Sequence, residues 1–196
     1  MNQTKYNEEL WKEYTNENID KIGEKQSDLI YHLSLLLGAK KICEAGCNIG
    51  NNLTSFPTDS KVNGFDMSEY ALKEAKKRHT GFNFKKGNLN KIPFQNNEFD
   101  LVFTRGVLIH IPSHDLDKIL EELLRISNKW VFNLEYFGDD EEMINWKRGD
   151  DLLWYRNMKK RWGKFNVEII SDVEIPIEVD PGKVRLTLIR KNDHTQ

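Results

Sequence analysis

Residues 41–50, Lys-Ile-Cys-Glu-Ala-Gly-Cys-Asn-Ile-Gly, constrain this chain more than any other stretch. A short apolar run stops at a carboxylate, Glu44, and opens into a turn that carries two glycines. Gly46 and Gly50 have no Cβ, so each can take a positive φ or admit a ligand against bare backbone. A strand-to-helix turn of this kind occurs both as a plain tight connection and as a nucleotide cradle. The segments around it decide between the two.

At 196 residues the chain suits one domain with a single core, here an N-terminal helical arm over residues 1–37 and an α/β core over 38–196. Charge is nearly balanced, with 29 Lys+Arg against 31 Asp+Glu and a net of -2. No overall field therefore draws the chain to DNA or to an anionic membrane, and a nucleic-acid partner is disfavoured. The longest apolar stretch, residues 29–37, is broken by His32 and Ser34 and is too short to cross a bilayer. Glu8 and Glu9 stand close behind Met1, unlike the basic-then-apolar order of a signal peptide, so a cytoplasmic location is expected. Cys43 and Cys47, the only cysteines, read as free thiols rather than as a disulfide or a metal pair. The Asp139-Asp140-Glu141-Glu142 run reads as an exposed acidic loop, and no metal site is expected.

Apolar patterns alternate between helix-like stripes and strand-like runs, the mark of an α/β sheet. Tyr6, Leu10, Trp11, Tyr14 and Ile19 suggest an amphipathic arm, and Leu29, Ile30, Leu33, Leu36 and Leu37 a helix that ends at Gly38. Strands are expected at about 40–45, 61–66, 82–86, 99–104 and 130–135, with the nearly continuous apolar run at 99–104 central to the sheet. Helices are expected after Gly50, after a Ser68 cap, after a Ser113 cap and over 150–162. Two alternating runs, around Val167 and Val184, then form an antiparallel pair.

In an open parallel sheet, ligands bind beyond the carboxyl ends of the strands, where the strand order reverses. Polar residues collect there: Glu44, Asp66, Asn88, Thr104 with Arg105, and Glu135 with Tyr136. Asp66 stands about twenty residues after the glycine turn, a spacing that suits hydrogen bonds to a ribose diol. Dinucleotide folds favour Gly-x-Gly-x-x-Gly to seat a pyrophosphate, whereas Asn48 fills the middle position here, so a ligand without phosphate fits better. S-adenosylmethionine is such a ligand. An NAD-dependent oxidoreductase and a binding module without turnover remain as alternatives.

These segments resemble the class I S-adenosylmethionine-dependent methyltransferases through Glu44-Ala-Gly-Cys-Asn-Ile-Gly50, Gly64-Phe-Asp66-Met-Ser, Gly87-Asn88-Leu89 and Ile92-Pro-Phe-Gln-Asn-Asn-Glu-Phe-Asp-Leu-Val102. A closer likeness, to the pseudaminic-acid-biosynthesis-associated methylases, comes from Ala45-Gly-Cys-Asn-Ile-Gly-Asn-Asn-Leu53, Phe103-Thr-Arg-Gly-Val-Leu-Ile-His-Ile-Pro112, Glu135-Tyr136 and Arg148-Gly-Asp-Asp151. The resemblance implies a Rossmann-like, mostly parallel seven-stranded sheet in the order 3-2-1-4-5-7-6, with the last strand antiparallel and helices on both faces. It also implies a cofactor site made by Glu44, Gly46, Cys47, Asn48, Gly50, Asp66, Met67, Asn88, Leu89 and Thr104. Two departures stand out: Asn48 replaces a glycine usual in the superfamily, and Asn88 an aspartate.

Methyl transfer from a sulfonium mainly requires alignment of the nucleophile and exclusion of water, with a base where the nucleophile holds a proton. His110, just past the fourth strand, is the first candidate for that base, since its ordinary pKa lies near neutrality. Glu135 and Tyr136 are candidates to orient a hydroxyl. Arg105 and Arg148 are candidates to hold an anionic group on a small-molecule substrate, with Tyr14 in a lid. The expected enzyme is a monomer or homodimer that methylates O or N of a small polar metabolite, such as a sugar or sugar nucleotide of surface-glycan synthesis.

Overall fold

The computed structural model describes residues 8–20, 24–149 and 152–192; Tyr6, Asp150 and Asp151 lie outside them. Two helices, α1 (Glu8–Asn18) and α2 (Glu24–Leu36), precede β1 (Lys41–Ala45), β2 (Lys61–Asp66), α3 (Glu69–Arg78), β3 (Asn83–Lys86) and β4 (Phe99–Arg105). Next come α4 (Ser113–Ile126), β5 (Ser127–Tyr136), a small ladder of β6 (Glu142–Met143) with β7 (Trp154–Tyr155), α5 (Met158–Trp162), β8 (Val167–Glu174) and β9 (Val184–Lys191). The main sheet has seven strands in the order β3-β2-β1-β4-β5-β9-β8. β1 to β5 pair in parallel, and β9 runs antiparallel to both β5 and β8. This is the expected order, with the β6–β7 ladder set outside the main sheet.

Alternation along the central strands divides the core between the two faces. Val102 and Val131 pack with Leu116, Ile119 and Leu123 of α4 and with Trp162, whereas Leu101, Phe103 and Phe132 pack with Ile30, Leu53 and Leu72. Each fully buried Leu, Ile or Phe contributes roughly 1.5–3 kcal/mol relative to exposure, which makes these two clusters the main source of stability. Ser68 caps α3 by accepting the Ala71 N–H at 3.2 Å, and Gly38 ends α2 at φ 66°.

Three local expectations are corrected. After Gly50 only the single 3-10 turn Asn51–Leu53 forms. There the Ser27 hydroxyl donates to the Asn52 carbonyl at 3.0 Å and accepts the Ser55 N–H at 2.8 Å, so α2 satisfies backbone groups that a helix would have paired. The helix expected over 150–162 is confined to Met158–Trp162, capped by Asn157 on the Lys160 N–H, because Trp154 and Tyr155 are extended against β6. Ser113 is the first residue of α4 rather than its cap, and its hydroxyl accepts from Arg161.

Candidate functional site

A cavity of about 590 Å³ opens at the carboxyl ends of β1, β2, β4 and β5, within the range of small-molecule sites. One half is built by the glycine turn. Gly46 (φ 73°), Asn48 (φ 46°) and Gly50 (φ 78°) all take left-handed conformations, and the Gly46 and Cys47 N–H groups donate to the Phe65 carbonyl at 2.9 and 3.0 Å. A Cβ on Gly46 would lie 2.7 Å from Val107, so the turn has no room for a side chain there. Asp66 accepts the Asn48 N–H at 2.9 Å through Oδ2 and the Ser68 N–H at 2.8 Å through Oδ1, which fixes its carboxylate at the cavity edge with lone pairs to spare. Burial raises its pKa against those hydrogen bonds. Phe65, Met67 and Leu89 supply an apolar slot beside it, and Asn88 lines the same half while its Oδ1 accepts the Asn90 N–H.

The other half is covered by α1 and by the segments after β4, β5 and β8. Trp11, Tyr14, Arg105, Gly106, Val107, His110, Ile111, Tyr136, Asp180, Pro181 and Gly182 line it. α1 is tied down by Thr15, which donates to the Asn48 side chain at 3.1 Å, and by Trp11, whose ring centre stands 4.9 Å from that of His110. The His110 Nδ1 lies 2.6 Å from the Leu152 carbonyl, which can only accept, so Nδ1 carries the hydrogen. Burial pushes the His110 pKa down to about 4, with Arg156 adding to the shift, so the imidazole is neutral near pH 7.

The loop that carries His110 is gripped from both sides. Glu135 accepts the Thr104 hydroxyl at 2.7 Å and the N–H groups of Val107 and Ile109 at 3.0 and 3.3 Å. Arg156 donates to the carbonyls of Leu108, at 2.5 Å, and Ile111. Below them the Trp162 indole N–H donates to Asn133 at 2.6 Å, and Asn133 donates to Thr104 at 2.8 Å. Every member of this buried relay has a partner, as low-dielectric polar networks require.

The structure thus brings Tyr14, Gly46, Cys47, Asn48, Asp66, Met67, Asn88, Leu89, Arg105, His110 and Tyr136 to one cavity, and five expected residues stand off its surface. Glu44 is fully buried, accepts Asn52 Nδ2 at 2.6 Å through Oε1, and leaves Oε2 unpartnered; burial pushes its pKa up to about 8. The Cβ direction of Gly50 faces His79 at 2.8 Å, so this glycine serves the turn. Thr104 and Glu135 are buried, and their side chains are hydrogen-bonded within the relay and to the His110 loop. Arg148 is largely buried, pairs with Glu17 and packs over the rings of Tyr14 and Trp146.

Sequence reasoning missed Trp146, Arg156 and Asp180. None has a local signal: Asp180 lines the cavity, Arg156 holds the loop that carries His110, and the Trp146 ring centre stands 4.9 Å from that of His110, all contacts between distant parts of the chain. The acidic run at 139–142 is exposed as expected, and Glu141 pairs with Arg156 and Arg161. Among the described residues no group of three or more His, Cys, Asp or Glu is placed to hold a metal. No described helix is long and apolar enough to cross a membrane.

Residues 42–129 match the methyltransferase domain family. The chain is 31% identical over 138 residues to 24-methylenesterol C-methyltransferase 3 of Arabidopsis thaliana, a match that spans 60% of this chain but only 38% of that protein. Its fold superposes on magnesium protoporphyrin IX methyltransferase of Synechocystis PCC 6803 with bound SAH, at TM-score 0.67 and 16% identity over 87% of this chain and 84% of the other. It also superposes on the 1,6-didemethyltoxoflavin-N1-methyltransferase of Burkholderia thailandensis, at TM-score 0.71 and 13% identity over 93% and 84% of the two chains. The chain therefore has the class I S-adenosylmethionine-dependent methyltransferase fold, with residues 42–129 matching the methyltransferase domain family.

Proposed function

We propose that the protein is an S-adenosylmethionine-dependent methyltransferase acting on oxygen or nitrogen of a small polar metabolite. The observation that carries this reading is the donor half of the cavity. A glycine turn with left-handed Gly46 and Asn48 stands beside an anchored Asp66 and an apolar slot, with the unpartnered Oε2 of Glu44 buried behind them. That combination fits a nucleoside with an amino-acid tail: Asp66 to accept the ribose hydroxyls, Met67 and Leu89 to flank the adenine, and the Gly46 turn to contact the tail.

When bound, the donor would supply an electrophilic methyl to the acceptor's lone pair, with the C–S electron pair left on sulfur and the acceptor's proton passed to water. This chain's part is to orient the acceptor and exclude water. α1 closes the cavity with Trp11 and Tyr14. Neutral His110, held through Nδ1–H, keeps Nε2 free to accept a hydrogen bond from the acceptor, a positioning task more than strong base work at so low a pKa. Tyr136 offers a hydroxyl at the same end. The likeness of the Phe103–Pro112 stretch to the pseudaminic-acid-associated methylases favours a sugar or sugar nucleotide as acceptor, in a cytoplasmic monomer or homodimer.

A thermal-shift comparison tests the donor reading. S-adenosylhomocysteine should raise the melting temperature in a saturable way and NAD should not; stabilisation by NAD alone would favour an oxidoreductase.

A further inference from the structure

The charges that face the acceptor half of the cavity are already matched against one another. Among the described residues lining the cavity, the groups with full charges are Asp66, Arg105 and Asp180. Asp66 belongs to the donor half and is anchored there by the Asn48 and Ser68 N–H groups. Arg105 Nη2 donates to Asp180 Oδ2 at 2.6 Å, and the Gly182 N–H donates to Asp180 Oδ1 at 3.0 Å, so the carboxylate is locked in place opposite the guanidinium. The Asp180 side chain is 8% exposed and that of Arg105 30%, so water screens the pair only in part and Arg105 presents little free positive charge. Arg148, the other residue expected to hold an anion, is committed to Glu17. His110 is neutral, and Trp11, Tyr14 and Val107 add no charge.

We propose that this half of the cavity selects a methyl acceptor with no net charge, a hydroxyl-bearing compound with an apolar face, and that the Arg105–Asp180 pair is its specificity determinant. This rests on the methyl-transfer reading and narrows it, setting free sugars and similar neutral compounds above sugar nucleotides. A phosphate or carboxylate would compete with Asp180 for Arg105 and face that carboxylate directly, a like-charge contact that lowers affinity by roughly a hundredfold. A neutral hydroxyl meets no such penalty. The remaining N–H groups of Arg105 and the spare lone pairs of Asp180 offer it a donor and an acceptor side by side.

The test has a binding arm and a product arm. With the protein saturated in S-adenosylhomocysteine, inorganic pyrophosphate should leave the melting temperature of the wild type unchanged. It should raise that of Asp180→Asn by about 3 °C as Arg105 is released, and the double variant Arg105→Gln/Asp180→Asn should lose that rise. A pyrophosphate shift in the wild type equal to that in Asp180→Asn, or no shift in either, overturns the assignment of the pair. In the product arm, protein, methyl-labelled donor and a metabolite extract are incubated and passed over an anion exchanger at pH 8. Label in the unbound fraction is expected, whereas label retained on the resin overturns the neutral acceptor. No labelled product from protein that binds S-adenosylhomocysteine would instead contradict the methyl-transfer reading, with the binding arm still judging the charge pairing.

Discussion

The Leu152 carbonyl receives the Nδ1 hydrogen of His110 across 2.6 Å, so a residue from the segment before β7 sets the tautomer of a ring carried on the loop after β4. Burial holds the folded pKa near 4, below the ordinary 6.5. A depressed histidine favours the folded state above its unfolded pKa, and that contribution is lost as pH falls from about 6.5 towards 4. Its size is about 3 kcal/mol. Melting temperature against pH should therefore fall more steeply between pH 6 and 4 in the wild type than in His110→Gln. Catalytic rate should show no inflection near pH 6.5 from this ring; a bell limb centred there that vanishes in His110→Gln would contradict the assignment.

Glu44 titrates in the opposite sense. Its folded pKa of about 8, raised by burial, means that the native state holds a proton the unfolded chain gives up, so stability is lost as pH rises from about 4.5 through 8. Glu44→Gln mimics the protonated carboxyl. The variant should match the wild type near pH 5 and exceed it at pH 9 by at least about 1 kcal/mol in denaturant melts. Equal stability at both pH values would show that Glu44 is ionised in the fold.

The grip on the His110 loop predicts a separation of effects. Arg156→Met removes two buried charge-assisted hydrogen bonds and leaves Glu141 short of one partner, at a cost of roughly 2–4 kcal/mol of stability. Because Arg156 does not line the cavity, affinity for S-adenosylhomocysteine should change less than threefold while kcat falls at least about tenfold. Calorimetric titration beside steady-state kinetics distinguishes this from general damage, which would weaken both.

At Gly46 the backbone itself is the constraint. Gly46→Ala places a Cβ 2.7 Å from Val107 at a φ of 73°, so strain of about 1–3 kcal/mol falls on the turn that the donor would touch. Donor affinity should drop by roughly tenfold or more with the fold intact by circular dichroism. Unchanged affinity would mean that the ligand does not approach this backbone.

The parts legible in the sequence are those set by local chemistry. Strands buried on both faces read as apolar runs, and each carries, at its last or next-to-last position, a polar residue that faces the cavity or its support: Glu44, Asp66, Thr104 and Glu135. Glycine turns and the Ser68 cap announce themselves in the same way. What stayed hidden depends on contacts far apart in the chain. Arg156 holds carbonyls 45 and 48 residues earlier, and Asp180 pairs with Arg105 across 75 residues, distances at which spacing carries no signal. Which carboxylate faces the cavity is equally invisible, because Glu44 and Asp66 both lie at the carboxyl end of a strand and only the packing of Asn52 over Glu44 separates them.

The central claim is that a sulfonium nucleoside lies against the Gly46 turn with its ribose on Asp66. Isothermal titration of S-adenosylhomocysteine into wild type and Asp66→Ala tests it most directly. The account predicts one site per chain in the wild type and affinity at least about tenfold weaker in the variant, as expected when charge-assisted hydrogen bonds worth roughly 1.5–3 kcal/mol are lost. No binding to the wild type, or equal affinity in the two proteins, would contradict it.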